Sequence, residues 1–534
     1  MHSSISKKRK MRIQRGNTRS GNRGNRIFSM NAPRKTRKRA ARDRVGARSG
    51  QGKVRLDRFP NGLSFIYEPS INQALELSCI CLFINRGSAQ EPEDLRGVSH
   101  LIEHMMFKAT KNRSQNSLLK IFDSTGAKFN AYTNKRLTCF YIICETRYME
   151  TCMDALSEMI THAIFDKKQF EKEQKIVREE NVQDEDDPDS LLYDGIDMAL
   201  FDGTSYSAPI DYIHSPLDRK KVIDYYRQNY VPGNMALSIV SSASYGAVEN
   251  IVAKSLLARF HSLHPSSSSP SSKLEDEIKG EAENKADEID ISHLKYHPYV
   301  KYERHRSKNG MEIVYGDLKG FNTVQIAIGF RTCAWNNVRD RIILKLIRRI
   351  FSRGLNGRMY SELREKYGLA YSPSAGVENN DKVGKISLYT EIEASKLIAF
   401  SENGHRKKGV LPILCGMIRE IITNGPTAKE WEDVKGYCHG EEMIFMEKIS
   451  HLAEYNGKNY WLSIDGMEDC SQKGAIELFS YHSHWEKYIQ TITLEDCRTC
   501  IAKYFKPSSM CIVLIGHPLP SIQSLEKCVG SYFK

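Results

Sequence analysis

The sequence predicts an α+β protein made of two homologous domains, each an antiparallel sheet covered by helices. Three observations support this fold class. Strand-like segments come in adjacent pairs and helical patterns come in runs, which favours α+β over alternating βαβ units. A Ser-rich and then acidic segment, residues 263–295, separates two pieces of similar length. Each piece ends with a helical pattern, a turn containing proline, a methionine and an apolar strand.

Length and composition limit the class of protein. The chain has 534 residues, of which 40% are hydrophobic and 27% are charged. This length suits two to four domains of about 100–200 residues each, and the composition excludes a wholly disordered chain. No segment reaches the roughly 18 consecutive apolar residues of a spanning helix, so we expect no membrane span.

We expect four segments along the chain. Residues 1–50 form a basic tail, and residues 51–262 form the N-terminal domain that holds the candidate site described below. Residues 263–295 form a low-complexity linker, which has no apolar pattern to bury. Residues 296–534 form the C-terminal domain.

The basic tail carries most of the charge asymmetry. It contains 17 Lys and Arg residues and one acidic residue, so it carries +16 while the rest of the chain carries −3. The clusters Lys7–Lys10 and Pro33–Arg39 favour an arm that binds nucleic acid or another polyanion. An organelle transit peptide and a solubilising tail are the alternatives.

The 13 cysteines predict free thiols in a reducing, intracellular compartment. Their number is odd, they are scattered, and no secretory signal precedes them. Nucleus or cytoplasm, mitochondrial matrix and viral particle stay open as locations. Cys497 and Cys500 form a CxxC pair inside a helical pattern, and we expect them to pack in the core.

The predicted elements follow in a regular order. An apolar strand spans Ser78–Asn85, and a helix follows in GVSHLIEHMMFKAT, residues 97–110. A hairpin covers Phe129–Ile143, and a second helix covers Lys167–Val182. In the second half, the apolar strand Thr323–Phe330 corresponds to Ser78–Asn85, and in each half this strand follows a first strand that comes after an Asn-Gly turn.

Two identities support a duplicated unit. Pro232 and Pro507 stand 275 residues apart, and so do Met235 and Met510. Each pair sits where a helical pattern ends and an apolar strand begins. The second half is therefore expected to repeat the fold of the first.

The segment from Ser99 to His104 carries the strongest chemical signal. His100 and His104 are four residues apart, so both imidazoles project from one side of a helix and can hold one metal ion. Glu103 lies beside them and can take a proton from an attacking water. The order is HxxEH, the reverse of the common zinc-protease HExxH. We expect Ser99 to cap this helix; the alternative is a helix with two surface histidines.

A third ligand is available on the second helix. Glu173 and Glu180 are seven residues apart and lie almost on one face, whereas Glu179 points roughly 100° away. Two histidines and one glutamate would leave a fourth position open on zinc, as hydrolytic sites do.

These residues resemble the inverzincin (M16-type) zinc metallopeptidases, the family of insulin-degrading enzyme, pitrilysin and the mitochondrial processing peptidases. GVSHLIEHMMFKAT resembles the zinc-helix signature of that family almost residue for residue. The family places its third ligand about 76 residues after the second histidine, which selects Glu180. The resemblance also implies that Glu173 supports a ligand histidine without binding zinc.

Two further segments extend the resemblance over most of residues 55–530. FNAYTNKRLTCFYI resembles the family segment whose edge strand binds the substrate backbone, which implies that Asn130 and Ala131 bind substrate. RGLNGRMYSELREKYGLAYS resembles the segment of two-domain bacterial-type members that supplies an Arg and a Tyr. Those residues correspond to Arg364 and Tyr371. A plain hairpin, and a charged helix before a strand, are the structural alternatives.

The resemblance implies a zinc-dependent endopeptidase with one Zn²⁺ per chain, in which two domains form half of a clamshell chamber. It also implies a homodimer in which Arg364 and Tyr371 complete the partner's site; a heterodimer with a related subunit is the alternative. A non-catalytic scaffold relative, and a protein whose basic tail is the main functional element, are the rival interpretations.

Overall fold

The computed structural model describes residues 54–210, 215–263, 302–308, 310–464 and 488–533. The predicted basic tail lies outside the described residues, and so does the predicted linker after its first residue. The basic tail and the low-complexity linker therefore stay predictions from the sequence.

The first half of the chain forms a six-stranded sheet in the order β1-β2-β6-β3-β5-β4. Its strands are β1 (Arg55–Arg58), β2 (Ser64–Pro69), β3 (Leu77–Ile84), β4 (Lys128–Thr133), β5 (Thr138–Glu145) and β6 (Met235–Ser241). Its helices are α1 (Val98–Met106), α2 (Gln115–Thr125), α3 (Met149–Thr161), α4 (Lys167–Glu185), α5 (Pro188–Leu200), α6 (Arg219–Asn229), α7 (Tyr245–Val252) and α8 (Ala258–Leu263), with a π-helical turn at Ala253–Leu257 between the last two.

The second half forms another six-stranded sheet, in the order β10-β11-β9-β14-β8-β7, and a separate two-stranded hairpin. Its strands are β7 (Glu303–Arg306), β8 (Glu312–Asp317), β9 (Thr323–Thr332), β10 (Ser374–Asn379), β11 (Gly384–Glu393), β12 (Ala399–Glu402), β13 (His405–Lys408) and β14 (Met510–Gly516). Its helices are α9 (Val338–Phe351), α10 (Val410–Asn424), α11 (Ala428–Met446), α12 (Ile449–Ile464), α13 (Leu494–Tyr504) and α14 (Ile522–Gly530), with a π-helical segment at Tyr360–Lys366.

The two sheets have the same topology, as the duplicated unit predicts. Replacing β1 to β6 by β7, β8, β9, β10, β11 and β14 converts one strand order into the other. The matched prolines begin equivalent 3₁₀ turns, Pro232–Asn234 and Pro507–Ser509, and each turn leads directly into the last strand of its sheet. Cys497 and Cys500 are buried on α13, as expected for packing residues.

Neither sheet is purely antiparallel, which corrects the predicted pairing. The last strand of each half, β6 or β14, pairs in parallel with the second strand and antiparallel with the third. The reason is topological. A strand inserted between two neighbours that run in opposite directions must be parallel to one of them.

Each sheet is covered on one face by helices of its own half and on the other face by a helix of the other half. Helix α12 packs on β2, β3 and β6 of the first sheet. Helix α5 packs on β9 and β14 of the second sheet. The apolar clusters under these helices contain residues from both halves, such as Phe83 with Trp461 and Ile196 with Val513. Both helices are thus exchanged between the halves.

The exchanged helix α12 lies very close to the first sheet. A Cβ atom added at Gly457 would overlap the ring of Phe83, so only glycine allows this approach. Two buried polar contacts fix the same interface. Tyr460 and Ser64 share a hydrogen bond of 2.6 Å between their hydroxyls, and the Asn456 amide donates to Glu68 at 2.7 Å.

We predict that Gly457→Ala lowers the free energy of unfolding by about 1–3 kcal/mol, the usual cost of overpacking a filled core. Gly436→Ala is the matched control, since its Cβ would meet no atom within 4 Å and it lies inside helix α11. The control should be neutral or gain about 0.5–1 kcal/mol. Urea unfolding of both variants checks this, and equal effects would contradict the close contact.

Candidate metal centre

Helix α1 holds both candidate histidines and begins at Val98, directly after Gly97. Gly97 has φ 84, a left-handed conformation that glycine adopts without strain. The apolar residues Leu101 and Met105 are buried in the first core. Their burial turns His100 and His104 together toward helix α4.

The N-terminus of α1 is capped from outside the helix. The Glu91 carboxylate accepts hydrogen bonds from the backbone amides of Gly97 at 2.8 Å and Ser99 at 2.7 Å. The predicted cap by Ser99 is wrong, because Ser99 already lies inside the helix. Sequence reasoning missed Glu91, since only the path of the loop before Gly97 brings its carboxylate back to these amides.

Helix α4 spans Lys167–Glu185 and is three residues longer at its end than the predicted segment. Phe170 and Val177 are buried on its inner side. Glu173 shares that side and is 3% exposed, while Glu180, two turns later, is 43% exposed. The helix packs against α1, so both carboxylates face the histidines.

The structure brings His100, His104 and Glu180 into one cluster. One ligand atom from each residue lies within 4.8 Å of the other two. The Nε2 atoms of the two histidines are 3.2 Å apart. Glu180 Oε2 is 3.8 Å from Nε2 of His100 and 3.5 Å from Nε2 of His104.

These distances fit a zinc ion. Zinc bonded tetrahedrally at about 2.0–2.2 Å would hold its ligand atoms roughly 3.3–3.6 Å apart. Two imidazoles and one carboxylate are also the donor set of hydrolytic zinc sites. His100, His104 and Glu180 are thus the residues that would hold the ion.

Glu173 supports the cluster from the other side of one imidazole. Its Oε2 lies 3.2 Å from Nδ1 of His104, and its Oε1 lies 2.7 Å from the Lys108 ammonium. A carboxylate on Nδ1 fixes the ring so that Nε2 faces the metal position. Lys108, which sequence reasoning did not single out, compensates the buried charge of Glu173.

The local charges favour ionised carboxylates. Burial opposes ionisation of Glu173 and Glu180, but their contacts with His104 outweigh it and lower the pKa of both. Burial also opposes the charged form of His104, yet the two glutamates raise its pKa to about 9. Burial lowers the pKa of His100. Without a metal, a protonated His104 thus balances the carboxylates, and a cation bound at Nε2 would displace that proton.

Glu103 is buried next to the histidines and is 8% exposed. Its Oε2 accepts a hydrogen bond of 2.6 Å from the hydroxyl of Thr133. Thr133 is the last residue of β4, the strand that contains the predicted substrate-binding residues.

Strand β4 is the outermost strand of the first sheet. Asn130 and Ala131 pair with Tyr141 and Phe140 of β5 on its inner side. The side-chain oxygen of Asn130 accepts a hydrogen bond of 2.9 Å from the Ala131 amide. An edge strand next to the metal position can bind an extended peptide by adding a further strand.

Arg364 and Tyr371 lie in the second half and contact each other. The Arg364 guanidinium donates to the Tyr371 carbonyl at 3.1 Å and stacks on its ring, with the centroid 4.6 Å away. Arg364 lies in the π-helical segment Tyr360–Lys366. The Tyr371 side chain is 69% exposed.

Comparison with protein families identifies the chain. The model described as Insulinase (Peptidase family M16) matches residues 70–212, and the Peptidase M16 inactive domain matches residues 216–436. The chain belongs to peptidase family M16. The first match contains α1 and α4, and the second contains the segment of Arg364 and Tyr371.

Several M16 relatives are named as zinc proteases. The uncharacterized zinc protease YmxG of Bacillus subtilis is 23% identical over 402 residues, which cover 75% of this chain and 86% of that protein. The uncharacterized zinc protease SCO5738 of Streptomyces coelicolor is 23% identical over 431 residues, which cover 78% and 84%. Protease-like character and zinc are therefore properties of its relatives.

Solved M16 structures share the fold. A Helicobacter pylori protease superposes with a TM-score of 0.67 at 17% identity, covering 87% of this chain and 99% of that one. The M16 inactive domain from Pseudomonas fluorescens gives 0.66 at 16% identity, covering 88% and 99%. The periplasmic protease PqqL of Escherichia coli gives 0.64 at 17% identity, with 90% of this chain matched to 50% of PqqL. These matches confirm the two-domain fold.

Among the described helices of this M16 chain, none combines the length and the apolar character that crossing a bilayer requires.

We predict a pH-dependent contribution of Glu91 to stability. Burial raises its pKa to about 7, although the bonds from Gly97 and Ser99 act in the other direction. The folded state therefore holds this proton more tightly than the unfolded state, whose pKa is near 4.5. The stability that it contributes is present below pH 4.5 and is lost as the pH rises to 7, by at most about 3 kcal/mol.

Glu91→Gln removes this titration and is the reference protein. Urea unfolding of both proteins at several pH values between 4.5 and 8 gives the difference in free energy. The wild-type protein should lose stability relative to Glu91→Gln as the pH rises. A difference that is constant with pH would contradict the raised pKa.

Proposed function

We propose that this protein is a zinc-dependent endopeptidase that hydrolyses peptides, or unfolded presequence-like segments, bound as an extended edge strand. The observation that carries this proposal is the cluster of His100, His104 and Glu180 with Glu103 beside it. Three ligand atoms at zinc spacing and an adjacent carboxylate are the components of a hydrolytic site. The zinc protease names of the M16 relatives agree with it.

Each residue near the cluster has a distinct task in this mechanism. A bound Zn²⁺ would polarise the scissile carbonyl and lower the pKa of water from 15.7 toward about 7. Glu103 takes the proton of the attacking water and passes it to the leaving amine. Glu173 keeps Nε2 of His104 directed at the metal position through its 3.2 Å contact with Nδ1.

The substrate backbone pairs with β4. Addition of a strand there uses the Ala131 amide, whose hydrogen bond to the Asn130 side chain would be exchanged for one to the peptide. Backbone pairing selects extended conformation rather than a particular sequence. The proposed substrates are therefore unfolded segments that can enter a chamber.

We further propose that two copies of the chain enclose this chamber. Arg364 and Tyr371 of one subunit would donate hydrogen bonds to the developing oxyanion and the substrate backbone at the partner's zinc site. The exposed Tyr371 ring supports this role, and so does the match of this chain to half of PqqL. A related subunit in place of the second copy is the alternative.

The rival interpretation is a scaffold without activity. The name of the Pseudomonas fluorescens structure, an M16 inactive domain, agrees with this interpretation. The two differ at the cluster. A scaffold has no use for three ligands at zinc spacing next to a buried glutamate. The basic tail, residues 1–50, would then add affinity for nucleic acid or another polyanion to either function.

We predict that Glu103→Gln retains one zinc per chain but loses peptidase activity by about 10²-fold or more, the usual value of a general base. Glu180→Gln should instead lose zinc affinity, because it removes one of three ligands. Elemental analysis and cleavage of an unfolded peptide measure the two effects. Addition of zinc to metal-free protein should raise the melting temperature of Glu103→Gln but much less that of Glu180→Gln.

Glu179→Gln is the matched control for Glu180→Gln, because its side chain points elsewhere on the same helix and should leave zinc binding unchanged. A Glu103→Gln variant with near-normal turnover would contradict the role of Glu103. Absence of zinc binding in the wild-type protein would favour the scaffold.

The shared site gives a separate prediction. Glu103→Gln and Tyr371→Phe chains should each have low activity alone, and a verified mixed dimer should recover part of it. The recovered site combines the intact zinc cluster of one chain with the intact Arg364 and Tyr371 of the other. Peptide cleavage by the tagged, purified mixture measures it. No recovery in that mixture would contradict the shared site.

A further inference from the structure

Strand β4 is connected to the candidate base by one short contact. Thr133 donates its hydroxyl hydrogen to Glu103 Oε2 at 2.6 Å, and Glu103 is 8% exposed. A hydrogen bond to an ionised carboxylate is among the stronger kinds and is stronger still away from water. Thr133 is two residues from Ala131, so their side chains project from the same side of the strand.

The opposite side of β4 is fixed as well. Tyr132, which points the other way, donates its hydroxyl hydrogen to Glu454 of helix α12 at 2.9 Å. That helix belongs to the second half and packs on the first sheet. The end of β4 is therefore held between α12 on one side and Glu103 on the other.

From this arrangement we propose that Thr133 is a positioning residue that orients the Glu103 carboxylate for catalysis. The inference rests on the proposed peptidase function. By engaging Oε2, the hydroxyl fixes the plane of the carboxylate that exchanges a proton with water and with the leaving amine. A carboxylate held by one oxygen also samples fewer side-chain rotamers, so less ordering remains for the reaction to achieve.

The same contact links substrate binding to the base. The peptide pairs with β4, and Thr133 is part of β4, so one rigid element sets the distance from the scissile bond to Glu103. A register of the peptide that fits β4 is then automatically aligned with the carboxylate. Preorganisation of this kind is sensitive to small displacements, since about 1 Å can change the rate by roughly 10²-fold.

The first experiment compares Thr133→Val, Thr133→Ser and wild type in the zinc-loaded full chain. Valine keeps the shape and loses the hydroxyl, so kcat should fall roughly 10-fold to 100-fold while KM and zinc content stay unchanged. Serine restores the donor and should recover most of kcat. Thr125→Val is the matched control, since it removes a hydroxyl that bonds to the Ile121 carbonyl on α2.

A second measurement does not depend on activity. Melting temperatures of metal-free wild type, Thr133→Val, Glu103→Ala and the double variant form a double-mutant cycle. If Thr133 acts through Glu103, the double variant should melt close to Glu103→Ala alone. Additive shifts in melting temperature would overturn the contact and, with it, the positioning role.

The outcomes separate the two proposals. Active wild type with a Thr133→Val variant of equal kcat overturns the positioning role and leaves the peptidase function standing. Inactive wild type that binds zinc overturns the peptidase function, and the catalytic role of Thr133 falls with it. A fall in kcat that serine does not recover also overturns the role, because it shows that shape and not the hydroxyl matters.

Discussion

The candidate site depends on a single imidazole that is contacted at both ring nitrogens by carboxylates of one helix. Glu173 reaches Nδ1 of His104 at 3.2 Å, and Glu180 reaches Nε2 at 3.5 Å. The two glutamates are seven residues apart, which is almost two turns of α4. The ring therefore connects α1 to α4. The packing of these two helices would also set the position of an ion held at Nε2.

The charges around this ring are arranged in opposite signs along the two helices. Helix α1 and the residues just after it supply the imidazoles and Lys108, while α4 supplies the carboxylates. A buried glutamate without a cation would be costly, and Lys108, itself only 12% exposed, supplies that cation. At the other end of α1, Glu91 accepts hydrogen bonds from two backbone amides that have no acceptor within the helix.

Much of this arrangement can be predicted from sequence because it depends on helical periodicity. The spacing of His100 and His104 and that of Glu173 and Glu180 place each pair on one face before any tertiary contact is known. The repeated proline and methionine likewise mark equivalent strands. Local patterns of this kind depend only on neighbouring residues, so a single sequence contains them.

The remaining features depend on contacts between distant residues. The approach of Gly457 to Phe83 joins positions far apart in the chain, and nothing near either residue predicts it. The hydrogen bond from Thr133 to Glu103 requires that β4 pass beside α1. The parallel pair in each sheet follows from the insertion of the last strand between two earlier ones, which periodicity does not reveal.

Helices α5 and α12 each pack on the sheet of the other half, and this exchange suggests how such a chain could have arisen. A lone copy of either repeat would leave one apolar sheet surface facing water, because the helix that shields it belongs to the other copy. An ancestor with one repeat would have needed to form a dimer in which each molecule packed one helix on the sheet of the other, which is domain swapping. Duplication and fusion of the gene would have placed both swapped helices within one polypeptide.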